Sequence, residues 1–227
     1  RTTKCAGIIL LATEMRATDV GQFERLGVPI VLLDSWFPTK KLDSVVIDNQ
    51  RGAWSATQYL IRQGHRRVGY LHSSVDIRNF LERRDGFLGA MRTLGELSHD
   101  PISDIVQVGT TLSAAEHDMD AFLAGGPDLP TAFFADNDII AAGCMRSLQR
   151  AGYRIPEDVS IVGFDDMPLC ELRDPALTTM AVPKDDMGSL AVQRLVSDIR
   201  RDGRHEVVRI SVLPEIVARD SVAAPSR

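Results

Sequence analysis

Apolar residues in this chain fall into short unbroken runs separated by amphipathic stretches, and the two alternate from end to end. Runs at 5–11, 28–33, 44–47, 67–71, 104–108, 131–135 and 159–164 predict strands. Runs without polar alternation are buried on both faces, as in parallel sheets covered by helices. Helices are predicted at 20–26 (weakly), 52–63, 80–94, 113–123, 138–151 and 185–199. The second carries an inner stripe of Ala53, Ala56, Leu60 and Ile61, and the third one of Phe80, Phe87, Met91 and Leu94. The last turns Met187, Leu190, Ala191, Leu195 and Ile199 inward. Gly27, Gly64, Gly95 and Gly152 stand where helices stop. Asp136 or Asn137 offers the N-cap for 138–151. Periodicity lapses after Asp166 and resumes at 177–180. Two extended pieces, 206–213 and 215–219, precede a frayed tail at 223–227. Alternating strands and helices give the α/β class with right-handed crossovers.

Two of the apolar runs end in polar clusters, Asp136-Asn137-Asp138 and Asp165-Asp166. Parallel strands place their carboxyl ends on one edge, where ligands bind, so both clusters are expected to line one crevice. The net charge of −5 argues against a nucleic-acid-binding surface in this segment. The short basic clusters Arg62/His65/Arg66/Arg67 and Arg200/Arg201/Arg204 read as solvated helix ends. Three dispersed cysteines (Cys5, Cys144, Cys170) suit buried thiols of a reduced cytoplasmic protein rather than a disulfide framework. The five histidines form no metal spacing, no run reaches the length of a membrane span, and no nucleotide-binding glycine motif opens a helix. No metal or cofactor is expected.

The ordered pieces AGIIL (6–10), PIVLLD (29–34), VVIDNQRGAWSATQYLIRQGHRRVGYL (45–71), RRDGF (83–87), PTAFFADNDIIAAGCMRSLQRAGYRIPEDVSIVGFDDMPL (130–169), PALTTMAVPKDDMGSLAVQRLV (175–196) and LPEIVARDS (213–221) resemble the effector-binding core of the lactose-repressor (LacI/GalR) family of bacterial transcription regulators. They span well over half of the chain. The resemblance implies a two-lobed, type I periplasmic-binding-protein-like fold of parallel sheets flanked by helices. Residues 1–47 plus 184–210 would form the first lobe, and 48–183 plus 211–227 the second. AGIIL matches the third strand of the family's first lobe yet stands near residue 1, so that lobe is expected to be incomplete, with an unpaired edge and no DNA-binding headpiece. The implied protein is a cytoplasmic homodimer, not an enzyme. It would bind a small effector, a carbohydrate, between its lobes, and would contact operator DNA through the headpiece missing here, with no membrane involved.

Each candidate ligand residue has a plainer alternative. Asp165 stands where a strand ends, and the resemblance makes it the acceptor of ligand hydroxyls, a role that suits an acceptor-only carboxylate; it could instead be a loop or cap aspartate. Asn137 can donate and accept, or it can cap the helix, a task Asp136 or Asp138 could take over. Arg83 matches a family arginine with forked donors, although Arg78 and Arg84 compete with it. Asp34 ends a strand of the first lobe and would face the second. Trp36 would stack on an apolar sugar face or sit half-buried as a hinge residue. Ser73 could donate to ligand or cap a turn. Two rival readings are a periplasmic sugar-binding protein of an ABC transporter and a haloacid-dehalogenase-like phosphatase, the latter from the D-x-D after an apolar strand.

Overall fold

A computed structural model of the chain describes residues 5–94, 100–200 and 206–225. In chain order the elements are β1 (Ile8–Leu11), α1 (Ala17–Glu24), β2 (Ile30–Leu33), β3 (Asp43–Ile47), α2 (Asn49–Arg62), β4 (Val68–Ser73), α3 (Arg78–Leu94), β5 (Ile105–Val108), α4 (Leu112–Ala124), β6 (Ala132–Ala135), α5 (Asp138–Arg150), β7 (Ser160–Asp165), β8 (Thr178–Ala181), α6 (Lys184–Arg200), β9 (Arg209–Val212) and β10 (Glu215–Val217). The unpatterned stretch after Asp166 contains a short 3-10 turn, Pro168–Cys170. The helix stop expected at Gly95, the basic residues Arg201 and Arg204, and the end of the expected tail lie outside the described residues. No described helix is long and apolar enough to cross a membrane. The chain divides into two compact units.

Unit 1 comprises residues 1–48, 77–79 and 183–213. Its sheet has the order β1-β2-β3-β9, every pair parallel. Alternation along the strands sends Ile8, Leu10, Ile30 and Leu32 to the face covered by Val20 of α1. The residues between them face α6, where a methyl on Gly7 would stand 2.8 Å from Leu195. β1 lies at an edge and stays partly open, with Leu11 64% exposed. The inward stripe expected of α6 fails at its last turn: Ile199 is exposed and Asp198 is buried. The cause is Arg194, which bonds the buried Asp43 and reaches Asp198 at 3.5 Å, drawing the carboxylate in and turning Ile199 out.

Unit 2 comprises residues 49–76, 80–182 and 214–227. Its sheet has the order β10-β8-β7-β6-β4-β5, parallel except where β10 joins antiparallel. One face packs Leu71, Phe133 and Ile161 against Met119, Ile140, Met145 and Leu148 of α4 and α5. On the other, Tyr70 stacks on Phe87 of α3 at 5.0 Å and on Phe134 at 5.3 Å. α2 and α3 cross there without a side chain between them, because a methyl on Gly86 would stand 2.2 Å from the carbonyl oxygen of Gln50. Gly64 and Gly152 follow α2 and α5 with φ of +105° and +94°, the left-handed stop that glycine adopts without strain. Ile61 is only half-buried, and Thr57 takes its place in the α2 stripe, its hydroxyl turned back onto the carbonyl of Ala53.

The basic cluster after α2 divides: Arg62 and Arg66 are exposed at the helix end as expected, whereas His65 and Arg67 are held by partners within the protein. His65 is buried between the Thr131 hydroxyl (2.9 Å) and the carbonyl of Ala223 (3.0 Å), and burial lowers its pKa. Arg67 grips Asp104 and Asp128. Each has a partner distant in sequence, which no local pattern reveals. The cysteines also divide: Cys144 and Cys170 are buried and Cys5 is exposed. Burial pushes the Cys144 and Cys170 thiols well up, away from the reactive thiolate.

Two outcomes follow. Gly86→Ala should cost roughly 2–3 kcal/mol, because a backbone carbonyl cannot step aside; urea unfolding checks this, and an unchanged midpoint would contradict the close crossing. An aromatic disulfide reagent should modify one thiol quickly in the native protein and three after denaturation, whereas two or more fast thiols would contradict the burial.

Candidate functional site

The carboxyl ends of β4, β6, β7 and β8 meet at one edge of the unit 2 sheet, and the polar clusters of the sequence gather there. The triplet after β6 divides its work among three directions. Asp136, fully buried, turns toward β4: its carboxylate accepts from the Tyr70 hydroxyl, from His72 Nδ1 at 2.8 Å and from the Ser73 amide at 2.6 Å. Asp138, also fully buried, turns toward β8 and the segment after β7, accepting from the Thr179 hydroxyl and from the Met167 amide at 2.8 Å. Asn137, between them, is the N-cap of α5: its Oδ1 accepts from the Ile140 amide at 2.9 Å. Of the cap residues the sequence offers, Asn137 is the one used, and neither neighbouring aspartate takes over the task, because both are engaged in sheet-edge contacts. The cap uses the carbonyl oxygen of Asn137 and does not involve its amide group, a donor of two protons.

Arg83 is the hub. It is 2% exposed, although arginines on helices are mostly solvent-facing. Nε donates to Asn49 Oδ1 at 2.9 Å, Nη1 to the Asp136 carbonyl, and Nη2 to Asp165 Oδ1 at 3.1 Å. The guanidinium also lies 3.7 Å from the ring centre of Phe164. Three elements (α2, β6 and β7) are thus tied to one cation carried by α3. Arg83 therefore holds Asp165 in place. Asn49 is a site residue that the sequence reading missed. It opens α2, two residues after β3 ends, and its side chain spans Arg83 and Glu82 of α3.

Asp165 has φ +106° and Asp166 φ +52°. Two successive non-glycine residues in this region are costly and persist only where surroundings over-determine them. Three anchors do so here: Arg83 on Asp165, Arg219 on Asp166 at 2.8 Å, and Asp138 on the Met167 amide. Asp165 keeps 27% of its side-chain surface open, so part of its carboxylate can accept from a bound molecule. Unit 1 repeats the device. Asp34 follows β2 with φ +60°, accepting from Thr13 at 2.6 Å and Asn79 at 3.0 Å.

The other candidates have different surroundings. The Ser73 hydroxyl is buried and caps a turn, accepting from the Val75 amide at 2.9 Å, which is the plainer of its two readings. Trp36 is half-buried, and the guanidiniums of Arg78 and Arg209 lie 4.4 and 3.9 Å from its ring centre, so a sugar would compete with two cations for the ring. Asp34 and Trp36 belong to unit 1, and Ser73, Arg83, Asn137 and Asp165 to unit 2. Burial sets the electrostatics: it raises Tyr70 well above its ordinary pKa, aided by Asp136, and raises Asp138 to about 6 against the lowering effect of Thr179 and Met167. Among the described residues nothing bonds the buried His72 Nε2. The phosphatase reading fails here, because both aspartates of the D-x-D are fully buried and engaged, and an attacking carboxylate must reach its substrate.

Residues 57–222 match the family described as periplasmic binding protein-like domain. An HTH-type transcriptional repressor PurR of Aliivibrio salmonicida (strain LFI1238) is 33% identical over 219 residues, 95% of this chain and 64% of the relative. The chain thus spans less than two thirds of the length of that curated relative. A LacI family transcriptional regulator from Enterococcus faecium with bound ribose superposes with a TM-score of 0.84 at 25% identity, over 96% of this chain and 80% of the other. The transcriptional regulator CelR in complex with cellobiose gives 0.83 at 30% identity, over 95% and 65%.

The Arg83 hub predicts that Arg83→Met lowers stability by about 3–5 kcal/mol, since it removes the buried cation that Asn49, the Asp136 carbonyl and Asp165 share. Arg83→Lys should not restore it, lacking the fork that reaches three acceptors. Chemical denaturation checks both, and a lysine variant as stable as the parent would contradict the hub.

Proposed function

The chain belongs to the periplasmic binding protein-like domain family and is an effector-binding core of the LacI/GalR type, and from that premise we propose that it senses a small carbohydrate for a bacterial transcription regulator. The observation that carries this reading is Asp165. It is a carboxylate at the end of a parallel strand, fixed by a buried arginine, set in a strained backbone conformation and left partly open. A fixed, partly exposed carboxylate suits vicinal hydroxyls, and the amide protons of Asn137 on the same sheet edge supply the complementary donor. Strain kept at a ligand edge is a common mark of preorganisation. Two structural relatives hold ribose and cellobiose, which supports a saccharide as the ligand class. In unit 1, Asp34 is assigned the corresponding role. Ser73 and Trp36 support the turn and the loop beside these aspartates.

The whole protein, in this reading, is a cytoplasmic homodimer that contacts operator DNA through a further domain, and effector binding changes its affinity for the operator. The core itself performs no catalysis. A thermal-shift screen of pentoses, hexoses and disaccharides, ribose and cellobiose among them, should find a stabilising sugar. Asp165→Asn, which keeps an oxygen for Arg83, should then weaken that sugar by about 2–3 kcal/mol, roughly thirty- to 150-fold, in calorimetry while the unliganded protein still unfolds cooperatively. An unchanged affinity would remove Asp165 from the site.

A further inference from the structure

Asp138 lies beneath the ligand edge, and none of its observed contacts serves the helix it begins. Its carboxylate reaches forward to the Met167 amide and sideways to the Thr179 hydroxyl of β8. The backbone of β7 presses directly on it, for a methyl on Gly163 would stand 2.3 Å from Asp138 Oδ1. Two residues after Gly163 the chain enters the left-handed stretch of Asp165 and Asp166, and at Met167 it is pinned to Asp138. We propose that Asp138 is a positioning residue: by clasping the Met167 amide and the Thr179 hydroxyl it fixes the 165–170 turn, and with it the direction in which Asp165 presents its carboxylate.

The proposal deepens the reading of Asp165 as the effector acceptor and rests on it for its functional meaning, but the clasp can be tested without any effector. The groups that set the charge on Asp138 are the Thr179 hydroxyl of β8, the Met167 amide and Cys170 thiol of the turn, and the Asp165 carboxylate that ends β7. Burial outweighs the donors and places its pKa near 6, above the ordinary 3.8. If opening the turn exposes Asp138, the closed turn holds a proton that the open turn releases. Closure is then strongest below the open-state value and weakens as pH rises to about 6, after which it is level. Asparagine resembles the protonated form, since its oxygen accepts from Met167 while its NH2 group donates to Thr179.

Amide hydrogen exchange of residues 165–170, corrected for the intrinsic pH dependence and measured without ligand between pH 4.5 and 7.5, tests this. In the parent protein, protection of the turn should fall on the order of tenfold across the range. In Asp138→Asn it should be level, and in Asp138→Ala it should be low throughout, while β6 keeps its protection in all three. Thr179→Val removes one donor at constant shape and should move the midpoint of the parent's pH dependence upward, a readout that survives if an Asp138 variant fails to fold. A turn that exchanges alike in parent, Asp138→Asn and Asp138→Ala, or a midpoint unmoved by Thr179→Val, would overturn the clasp. Asp165→Asn removes a like charge beside Asp138 and should move the midpoint of turn exchange downward; a sugar affinity unchanged in that variant would refute the effector reading and leave the clasp standing.

Discussion

A buried guanidinium organises the polar edge of unit 2. Taking Arg83 out of water costs several kcal/mol unless its donors are met, and they are met by groups from α2, β6 and β7 at once. The Phe164 ring beneath it supplies a further attraction that water cannot. Because the cation is costly when abandoned, each acceptor is held firmly, and the position of Asp165 becomes a property of the whole edge. This is how a side chain at a loop start attains the rigidity that recognition of a small molecule requires.

Both units use an aspartate in left-handed backbone conformation immediately after a parallel strand, Asp34 after β2 and Asp165 at the end of β7. The conformation turns the chain abruptly away from the sheet, so the carboxylate remains at the edge instead of following the strand into the next helix. Neither position is glycine, the residue that would adopt the turn without strain, and each carboxylate is held by named donors. A side chain is thus kept where the backbone alone would favour none.

Much of the architecture was legible in the sequence because it rests on local signals. Unbroken apolar runs marked the buried strands, and Gly64 and Gly152 marked two helix ends. Asp165 could be singled out because the carboxyl end of a buried strand is a position with chemical meaning. The division of labour within Asp136-Asn137-Asp138 was not legible. All three residues suit an N-cap, and the choice was made by Tyr70, His72 and Thr179, which are distant in sequence. For the same reason Asn49 went unnoticed, Ser73 proved to serve a turn, and Asp198 rather than Ile199 faces inward on α6. Periodicity reports apolar faces. It is silent on which buried polar group will find a partner from another element.

The central claim is that Asp165, held by Arg83, receives the hydroxyls of a small carbohydrate. A crystal structure of this core with the sugar that most raises its melting temperature tests it most directly. The account predicts a sugar hydroxyl within hydrogen-bond distance of the Asp165 carboxylate, the Asn137 amide group turned to the same molecule, and the Arg83–Asp165 bond intact. A sugar seated elsewhere, touching neither Asp165 nor Asn137, would contradict it.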